Sequence, residues 1–164
     1  MTLTHPSPNR NARPAGVVPR LVVLHADAGA SDAGTVSWVR APRSKVSYHA
    51  LVGRDGRVYT FVDYAERAWH AGKSSWQGVT DCNDFAIGLA FGNRHDGTEP
   101  LTPKQIAVMQ ALVQTVRQAY PGIEVTTHAA IAPGRKTDPN ECPGFDLADY
   151  LTYPPPGFPM AVAA

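Results

Sequence analysis

Short apolar segments, separated by turn-forming residues, constrain the fold of this chain more than any other feature of its sequence. The segments are rich in β-branched or aromatic residues, which is typical of strands buried in a sheet. The predicted strands are residues 21–24, 46–52, 57–62, 85–91 and 123–127. The pair Asp55-Gly56 predicts a tight hairpin between the second and third strands, because glycine readily adopts the positive φ that such a turn requires.

Helical patterns alternate with these strands. Thr102 is the predicted N-cap of the clearest helix, Pro103 is its first residue, and Gln105 completes a capping box. Apolar residues then recur at helical spacing as far as a Pro-Gly pair. A shorter helix is predicted at residues 35–39, before Pro42. This alternation predicts an α/β fold, here a single domain with a central mixed β-sheet flanked by helices.

The length of the chain, 164 residues with 43% apolar side chains, fits one domain with one core. Many of the 15 prolines lie near the two ends. We therefore expect an extended N-terminal segment over residues 1–19, a compact body over residues 20–151 and a Pro-rich C-terminal tail over residues 152–164.

Charge and hydropathy exclude several classes of partner. Lys and Arg number 15 against 14 Asp and Glu, so no strong field is available to bind a nucleic acid. Apolar runs are shorter than the roughly 18 residues that cross a bilayer, so no membrane partner is expected. The first 20 residues lack the apolar stretch of a signal peptide, which predicts synthesis in the cytoplasm. Two cysteines are too few for a disulfide framework, and free thiols are expected.

Three polar residues follow the predicted strands in a way that suits a metal site. His25 ends the first strand, His128 follows the last, and Asp138 lies in the Pro/Gly-rich loop beyond it. Strand ends are where α/β folds place their sites, and two imidazoles with one carboxylate suffice for a catalytic zinc with one position open to water. Taken singly, a histidine at a strand end is more often hydrogen-bonded and structural than a metal ligand.

Five segments of the chain resemble a known family and occur in the family's order. They are LHA at residues 24–26, VSYH at 46–49, RAWHAG at 67–72, CNDFAIG at 82–88 and HAAIAPGRKTDP at 128–139. They resemble the zinc-dependent N-acetylmuramoyl-L-alanine amidases of the type-2 class. That class includes cytoplasmic anhydromuramyl-peptide amidases, phage lysozymes of the amidase type and animal peptidoglycan-recognition proteins. The resemblance covers residues 20–151, which would form the catalytic domain.

The resemblance implies a role for each matching residue. His25, His128 and Asp138 match the ligands of one Zn²⁺ ion. Lys136 matches a lysine that assists catalysis, and a cation there can stabilise the oxyanion that forms on the scissile carbonyl. Tyr48 matches the active-site tyrosine of the phage lysozymes and the catalytic recognition proteins.

Two further residues match the substrate cleft, and two positions depart from parts of the family. Trp69 and His70 resemble the loop that lines the cleft in the cytoplasmic and phage enzymes. Ala90 stands where the cytoplasmic branch has a catalytic glutamate, a departure that favours the branch with the tyrosine. Cys142 resembles a cysteine ligand of the recognition proteins and competes with Asp138. The ungapped match over residues 128–139 favours Asp138.

These residues together predict hydrolysis of the amide bond between N-acetylmuramic acid and L-alanine in peptidoglycan. The branch features favour a bacteriolytic, phage-type endolysin that reaches the cell wall through a holin. The alternatives are a cytoplasmic amidase that recycles anhydromuropeptides and a non-catalytic peptidoglycan-binding module. The expected partner is peptidoglycan or a muropeptide, and a monomer is expected.

Overall fold

A six-stranded mixed sheet forms the centre of the structure, a computed structural model that describes residues 2–151. The strands are β1 Thr2–Thr4, β2 Arg10–Ala12, β3 Leu21–Ala26, β4 Ala50–Val52, β5 Val58–Thr60, β6 Glu66–Ala68, β7 Ser75–Trp76, β8 Val79–Thr80, β9 Ala86–Phe91 and β10 Glu124–Thr127. The α-helices are α1 Asp32–Arg40, α2 Pro103–Ala119, α3 His128–Ile131 and α4 Ala148–Leu151. Short 3₁₀ turns occupy Pro42–Ser44 and Cys82–Asp84.

The strand order in the central sheet is β1-β5-β4-β9-β3-β10. Strands β4 and β5 are antiparallel and form the predicted hairpin, in which Gly56 has a φ of 79°. The other neighbouring pairs in this sheet are parallel. Two small antiparallel pairs, β2 with β6 and β7 with β8, lie outside it. This mixed sheet with its flanking helices confirms the predicted fold class.

The two central strands, β3 and β9, are buried along their whole length. Helix α2 covers one face of the sheet with apolar side chains that include Met109, Val113 and Val116. The helix begins at the predicted capping box, in which the backbone N–H of Thr102 donates to Gln105 Oε1 at 3.1 Å and the N–H of Gln105 donates to Thr102 Oγ1 at 3.1 Å. The cap therefore fixes where this helix starts against the sheet.

The predicted strand at residues 46–52 is shorter in the structure and begins only at Ala50. Residues 46–49 instead bond with neighbours that are distant in sequence. The carbonyl of Val46 accepts from Asn9 Nδ2 at 3.1 Å, and the N–H of Ser47 donates to the carbonyl of Trp69 at 3.0 Å. These bonds take Val46 and Ser47 out of the sheet, whereas the N–H of His49 still donates to the Gly88 carbonyl of β9 at 2.9 Å. The predicted helix at 35–39 extends to Asp32–Arg40, capped by the Ser31 side chain.

The described part of the N-terminal segment lies along the body. Strand β1 pairs with β5, and β2 pairs with β6. The guanidinium of Arg13 donates hydrogen bonds to four main-chain carbonyl groups at 2.9–3.2 Å, those of Tyr64, Asn83, Asp84 and Ala86. The expected Pro-rich tail at 152–164 lies outside the described residues. None of the helices between residues 2 and 151 has the length and apolar content that a bilayer crossing requires.

Because His49 is buried, we expect the free energy of unfolding to fall as the pH is lowered. Its Nδ1 accepts from the N–H of Gly88 at 2.9 Å, and burial lowers its pKa from 6.5 to about 3. The unfolded chain therefore binds a proton at this imidazole below about pH 6.5 and the folded chain does not, so His49 alone should lower the free energy of unfolding by about 2 kcal/mol between pH 7 and pH 5. Urea unfolding of wild type and His49→Asn at both pH values measures this. The variant, whose amide oxygen can still accept from Gly88, should show a smaller fall, and equal falls would contradict the assignment.

Candidate metal centre

The sheet register brings His25 and His128 together. Strands β3 and β10 run in parallel, and Leu24 pairs with Thr127. The residue after Leu24 and the residue after Thr127 are both histidines, so both imidazoles emerge at the carboxyl edge of the sheet. Helix α3 begins at His128, with the side chain of Thr127 accepting from the N–H of Ala130 at 3.2 Å. Both histidines are buried, with 1% and 4% of their surface exposed.

Asp138 completes a cluster of three potential ligand atoms. His25 Nδ1 lies 3.0 Å from His128 Nδ1 and 3.4 Å from Asp138 Oδ2, and His128 Nδ1 lies 3.1 Å from the same oxygen. A tetrahedral zinc with ligands at about 2.0–2.1 Å has its ligand atoms about 3.3 Å apart. The loop that carries Asp138 is tied back to α3, since the N–H of Ala129 donates to the Asp138 carbonyl at 3.0 Å. The three side chains can therefore hold a metal ion.

The protonation states of this cluster suit a cation. Burial lowers the pKa of His25 to about 4, which keeps its imidazole neutral and able to bind a metal. Burial alone raises the pKa of Asp138, but hydrogen bonds with His128 and His25 outweigh burial and hold that pKa well below its usual range. Two histidines and one carboxylate are an ordinary ligand set for a zinc site that keeps one position open.

Cys142, the competing third ligand, lies outside this cluster. Its Sγ donates to Asn93 Oδ1 at 3.3 Å and lies 3.6 Å from His95 Nδ1. Burial raises the pKa of the thiol to about 12, so the group stays protonated, whereas a metal binds the thiolate. Both cysteines are free and buried, in agreement with the sequence. The geometry therefore favours Asp138.

Tyr48 lies beside the cluster in the loop that precedes β4. Its ring centroid is 5.3 Å from that of His25, and it lines a cleft of about 820 Å³ that His128 and Asp138 also line. Burial raises the pKa of its hydroxyl, which therefore stays protonated and can donate a hydrogen bond. Ala90 pairs with His25 in the sheet, and Tyr48 packs against the buried cluster that contains Ala90. Tyr48 and Ala90 thus belong to the same region of packing.

Lys136 and Trp69 line the same cleft. Lys136 is exposed, and among residues 2–151 it forms no ion pair with an acidic side chain. Trp69 is half-buried and fixed by its indole N–H, which donates to Asn11 Oδ1 at 2.6 Å. The ammonium group of Lys45 lies 6.0 Å from the Trp69 ring centroid. The cleft therefore presents an aromatic face and cationic groups close to the three ligands.

His70 also lines the cleft, as expected from the sequence, and contacts His25. Its Nδ1 is 3.0 Å from His25 Nε2, and only 6% of the residue is exposed. Asn83 holds this segment, since its Oδ1 accepts from the N–H groups of His70 and Ala71 at 3.0 and 2.8 Å.

A family model described as N-acetylmuramoyl-L-alanine amidase matches residues 14–141. The chain belongs to the type-2 N-acetylmuramoyl-L-alanine amidase family. The amidase is 36% identical over 166 residues to the 1,6-anhydro-N-acetylmuramyl-L-alanine amidase AmpD of Escherichia coli K12, an alignment that spans 88% of this chain and 87% of that protein.

Solved structures support the same assignment. The crystal structure of a selenomethionine AmpD derivative has a TM-score of 0.75 and 34% identity to this amidase, and the match covers 91% of this chain and 92% of that one. The amidase AmiD of E. coli, in complex with the substrate anhydro-N-acetylmuramic acid-L-Ala-D-γ-Glu-L-Lys, has a TM-score of 0.65 and 32% identity. That match covers 77% of this chain and 55% of AmiD.

The family assignment makes the chain a hydrolase that cleaves the amide bond between N-acetylmuramic acid and L-alanine. A non-catalytic binding module is therefore not supported. The comparisons also favour the recycling alternative over the phage-type endolysin, since AmpD and AmiD are amidases whose name or bound substrate specifies an anhydromuramyl group. They give no support to a bacteriolytic role or to a holin-dependent route.

The sequence analysis missed several residues of the amidase cleft. Asp27, Trp38, His95 and Arg135 also line it. Asp27 had a detectable signal, because it lies two residues beyond His25 and so on the same side of an extended chain. Its Oδ1 accepts from the N–H groups of Gly29 and Asn93 at 3.1 and 2.9 Å, and its Oδ2 from the hydroxyl of Thr35. It thus braces the loop that follows β3.

Proposed function

We propose that this amidase removes the peptide from soluble anhydromuropeptides and uses one zinc ion held by His25, His128 and Asp138. The observation that carries the proposal is the buried cluster of three ligand atoms at the base of a cleft, in a chain 36% identical to an anhydromuramyl-L-alanine amidase over most of both lengths. Zinc, when bound, supplies a Lewis acid that activates water and polarises the amide carbonyl.

The protein's own residues would orient the substrate and stabilise charge. Lys136 places a cation on the cleft surface near the ligands, where it can stabilise the negative charge that develops on the amide oxygen. The protonated hydroxyl of Tyr48 can donate a hydrogen bond beside His25. Because Ala90 brings no carboxylate to this position, we assign charge stabilisation and water positioning to Lys136 and Tyr48.

The cleft composition supports a peptide substrate that carries carboxylates. The substrate bound to AmiD contains a γ-linked glutamate, whose α-carboxylate is free. In this amidase the cleft is lined by Lys45, Arg135 and Lys136, and within the described residues neither lysine forms an ion pair. The indole of Trp69 offers a flat apolar surface on which a sugar or peptide group can pack. We therefore propose that both the sugar and the peptide are recognised.

A comparison of two substrates tests the proposal. The zinc-loaded amidase should hydrolyse soluble anhydromuropeptide faster than intact sacculi and should release new N-terminal L-alanine amines without new reducing ends. A chelator should stop the reaction, and added zinc should restore it. Faster hydrolysis of sacculi would favour an endolysin, and reducing ends without amines would mean glycosidase activity. The Asp138→Ala variant serves as the inactive control.

A further inference from the structure

We propose that His70 is a positioning residue for the metal centre, because its Nδ1 accepts a hydrogen bond from the Nε2–H of His25 and so fixes the ring that offers Nδ1 to zinc. The inference rests on the proposed zinc site. It gives His70 a role in addition to the substrate contact expected from the sequence, since the residue lines the cleft although only 6% of it is exposed.

The first step of the argument concerns the two nitrogens of His25. Its Nδ1 faces His128 and Asp138, and its Nε2 lies 3.0 Å from His70 Nδ1. A neutral imidazole that binds a metal through Nδ1 carries its one hydrogen on Nε2, and that hydrogen needs an acceptor. The two rings meet edge to face, with centroids 5.0 Å apart and planes at 84°. His70 Nδ1 is therefore placed to accept.

The same short segment also orients the second imidazole. His128 Nε2 lies 3.2 Å from the carbonyl oxygen of Ala71, which accepts its hydrogen. His70 and Ala71 thus contact the outer nitrogens of both histidine ligands, and Asn83 holds the backbone of both residues. Partners of this kind fix the tautomer and the ring orientation of metal-binding histidines.

The second step concerns the cost of placing a histidine here. Among residues 2–151, no hydrogen bond within 3.5 Å is found for the buried Nε2 of His70, and the carbonyl of Ala86 is the acceptor near this imidazole. A buried polar atom without a partner is unfavourable, so an apolar side chain would fill this space at lower cost. Packing alone does not account for an imidazole at this position, whereas a hydrogen bond to a metal ligand does.

The third step concerns Gly88, a glycine in the middle of buried strand β9. A Cβ atom at this position would overlap the His70 ring. A glycine in a strand interior weakens the strand, and it often marks a close approach of another group. Here the absence of a Cβ atom lets the His70 imidazole lie against the strand, in the position from which its Nδ1 contacts His25 Nε2. The position of the His70 ring therefore depends on the glycine at residue 88.

A measurement of zinc affinity tests the positioning role of His70 independently of catalytic activity. Zinc would be transferred from the loaded amidase to a chromogenic chelator of known affinity, for wild type, His70→Ala and His70→Asn. The alanine variant should bind zinc about 10–100-fold more weakly. The asparagine variant should recover most of that loss, because its Oδ1 can occupy the place of Nδ1 and accept the same hydrogen bond. Gly88→Ala, which keeps the imidazole but displaces it, should also weaken zinc binding.

His95→Gln is the matched control, because it removes an imidazole that lines the same cleft and bonds to Thr137 Oγ1 at 2.9 Å, not to a ligand. Its zinc affinity should equal that of wild type. Equal affinities in wild type and His70→Ala would overturn the inference, and so would equal losses in His70→Ala and His70→Asn. A loss in His95→Gln as large as in His70→Ala would also overturn it. A wild-type chain that binds no zinc would instead contradict the proposed function itself.

Discussion

Replacing Asp138 with alanine will remove zinc from the amidase and lower its turnover of anhydromuropeptide by more than about a thousand-fold, which corresponds to about 4 kcal/mol. Asp138 is the anionic member of the three-atom cluster, and its loss leaves two neutral imidazoles to hold a doubly charged ion. The measurements are the zinc content of the purified variant and its rate of L-alanine amine release.

The Cys142→Ser variant is the counterpart of this experiment. Its zinc content should match that of wild type, because the thiol bonds to Asn93 and lies outside the ligand cluster. If Asp138→Ala kept its zinc while Cys142→Ser lost it, the third ligand would be the cysteine and not the carboxylate.

Replacing Lys136 with alanine should lower kcat by about 100-fold or more and leave zinc content unchanged. A group that stabilises charge only in the transition state affects kcat far more than substrate binding, and one such donor is worth about a factor of 10²–10³. Steady-state kinetics on a soluble anhydromuropeptide measure the effect.

Lys73→Ala controls for the loss of a positive charge near the cleft. Lys73 is exposed and lies in the neighbouring groove rather than in the cleft itself, so its removal should leave kcat within experimental error. A Lys136→Ala variant with unchanged kcat and a raised KM would reassign this lysine to substrate binding.

The parts of the fold that depend on local pattern could be predicted from the sequence. The capping box at Thr102 placed the start of α2, and the Asp55-Gly56 pair placed the hairpin. The convergence of His25 and His128 was also accessible, because the carboxyl ends of neighbouring parallel strands meet at one edge of a sheet. Asp138 was a candidate because it lies in the loop beyond the last strand, and the family resemblance favoured it over Cys142, since that loop has no periodic pattern that would place either side chain.

The parts that depend on side chains meeting distant backbone groups could not be predicted. Asn9 Nδ2 donates to the carbonyls of Val39 and Val46 at 3.1 Å, across 30 or more positions of sequence. Hydrophobic periodicity does not reveal such a bond. The pattern therefore predicts a strand that begins at residue 46, where the structure has the loop that carries Tyr48. The contact of His70 with His25 was missed for the same reason.

The sequence-based preference for an endolysin depended on two positions of the chain. Ala90 and Tyr48 favoured an endolysin, whereas similarity over most of the chain favours an anhydromuramyl amidase. In the structure Ala90 pairs with His25, and Tyr48 packs against the same buried cluster. The two positions therefore describe how one side of the metal centre is built, and they do not decide which wall fragment is cut.

The hydrogen bonds of Arg13 show that the packed domain extends beyond the residues that match the family model. The family match begins at residue 14, one position after Arg13, whose guanidinium donates to four carbonyl groups near β6 and β9. The match ends at residue 141, and so leaves out Tyr150, which packs beside Phe91 and Phe145. A protein trimmed to the matched span would leave those carbonyls without their donor and uncover an aromatic cluster. Boundaries for excision or fusion should therefore follow the contacts of this molecule.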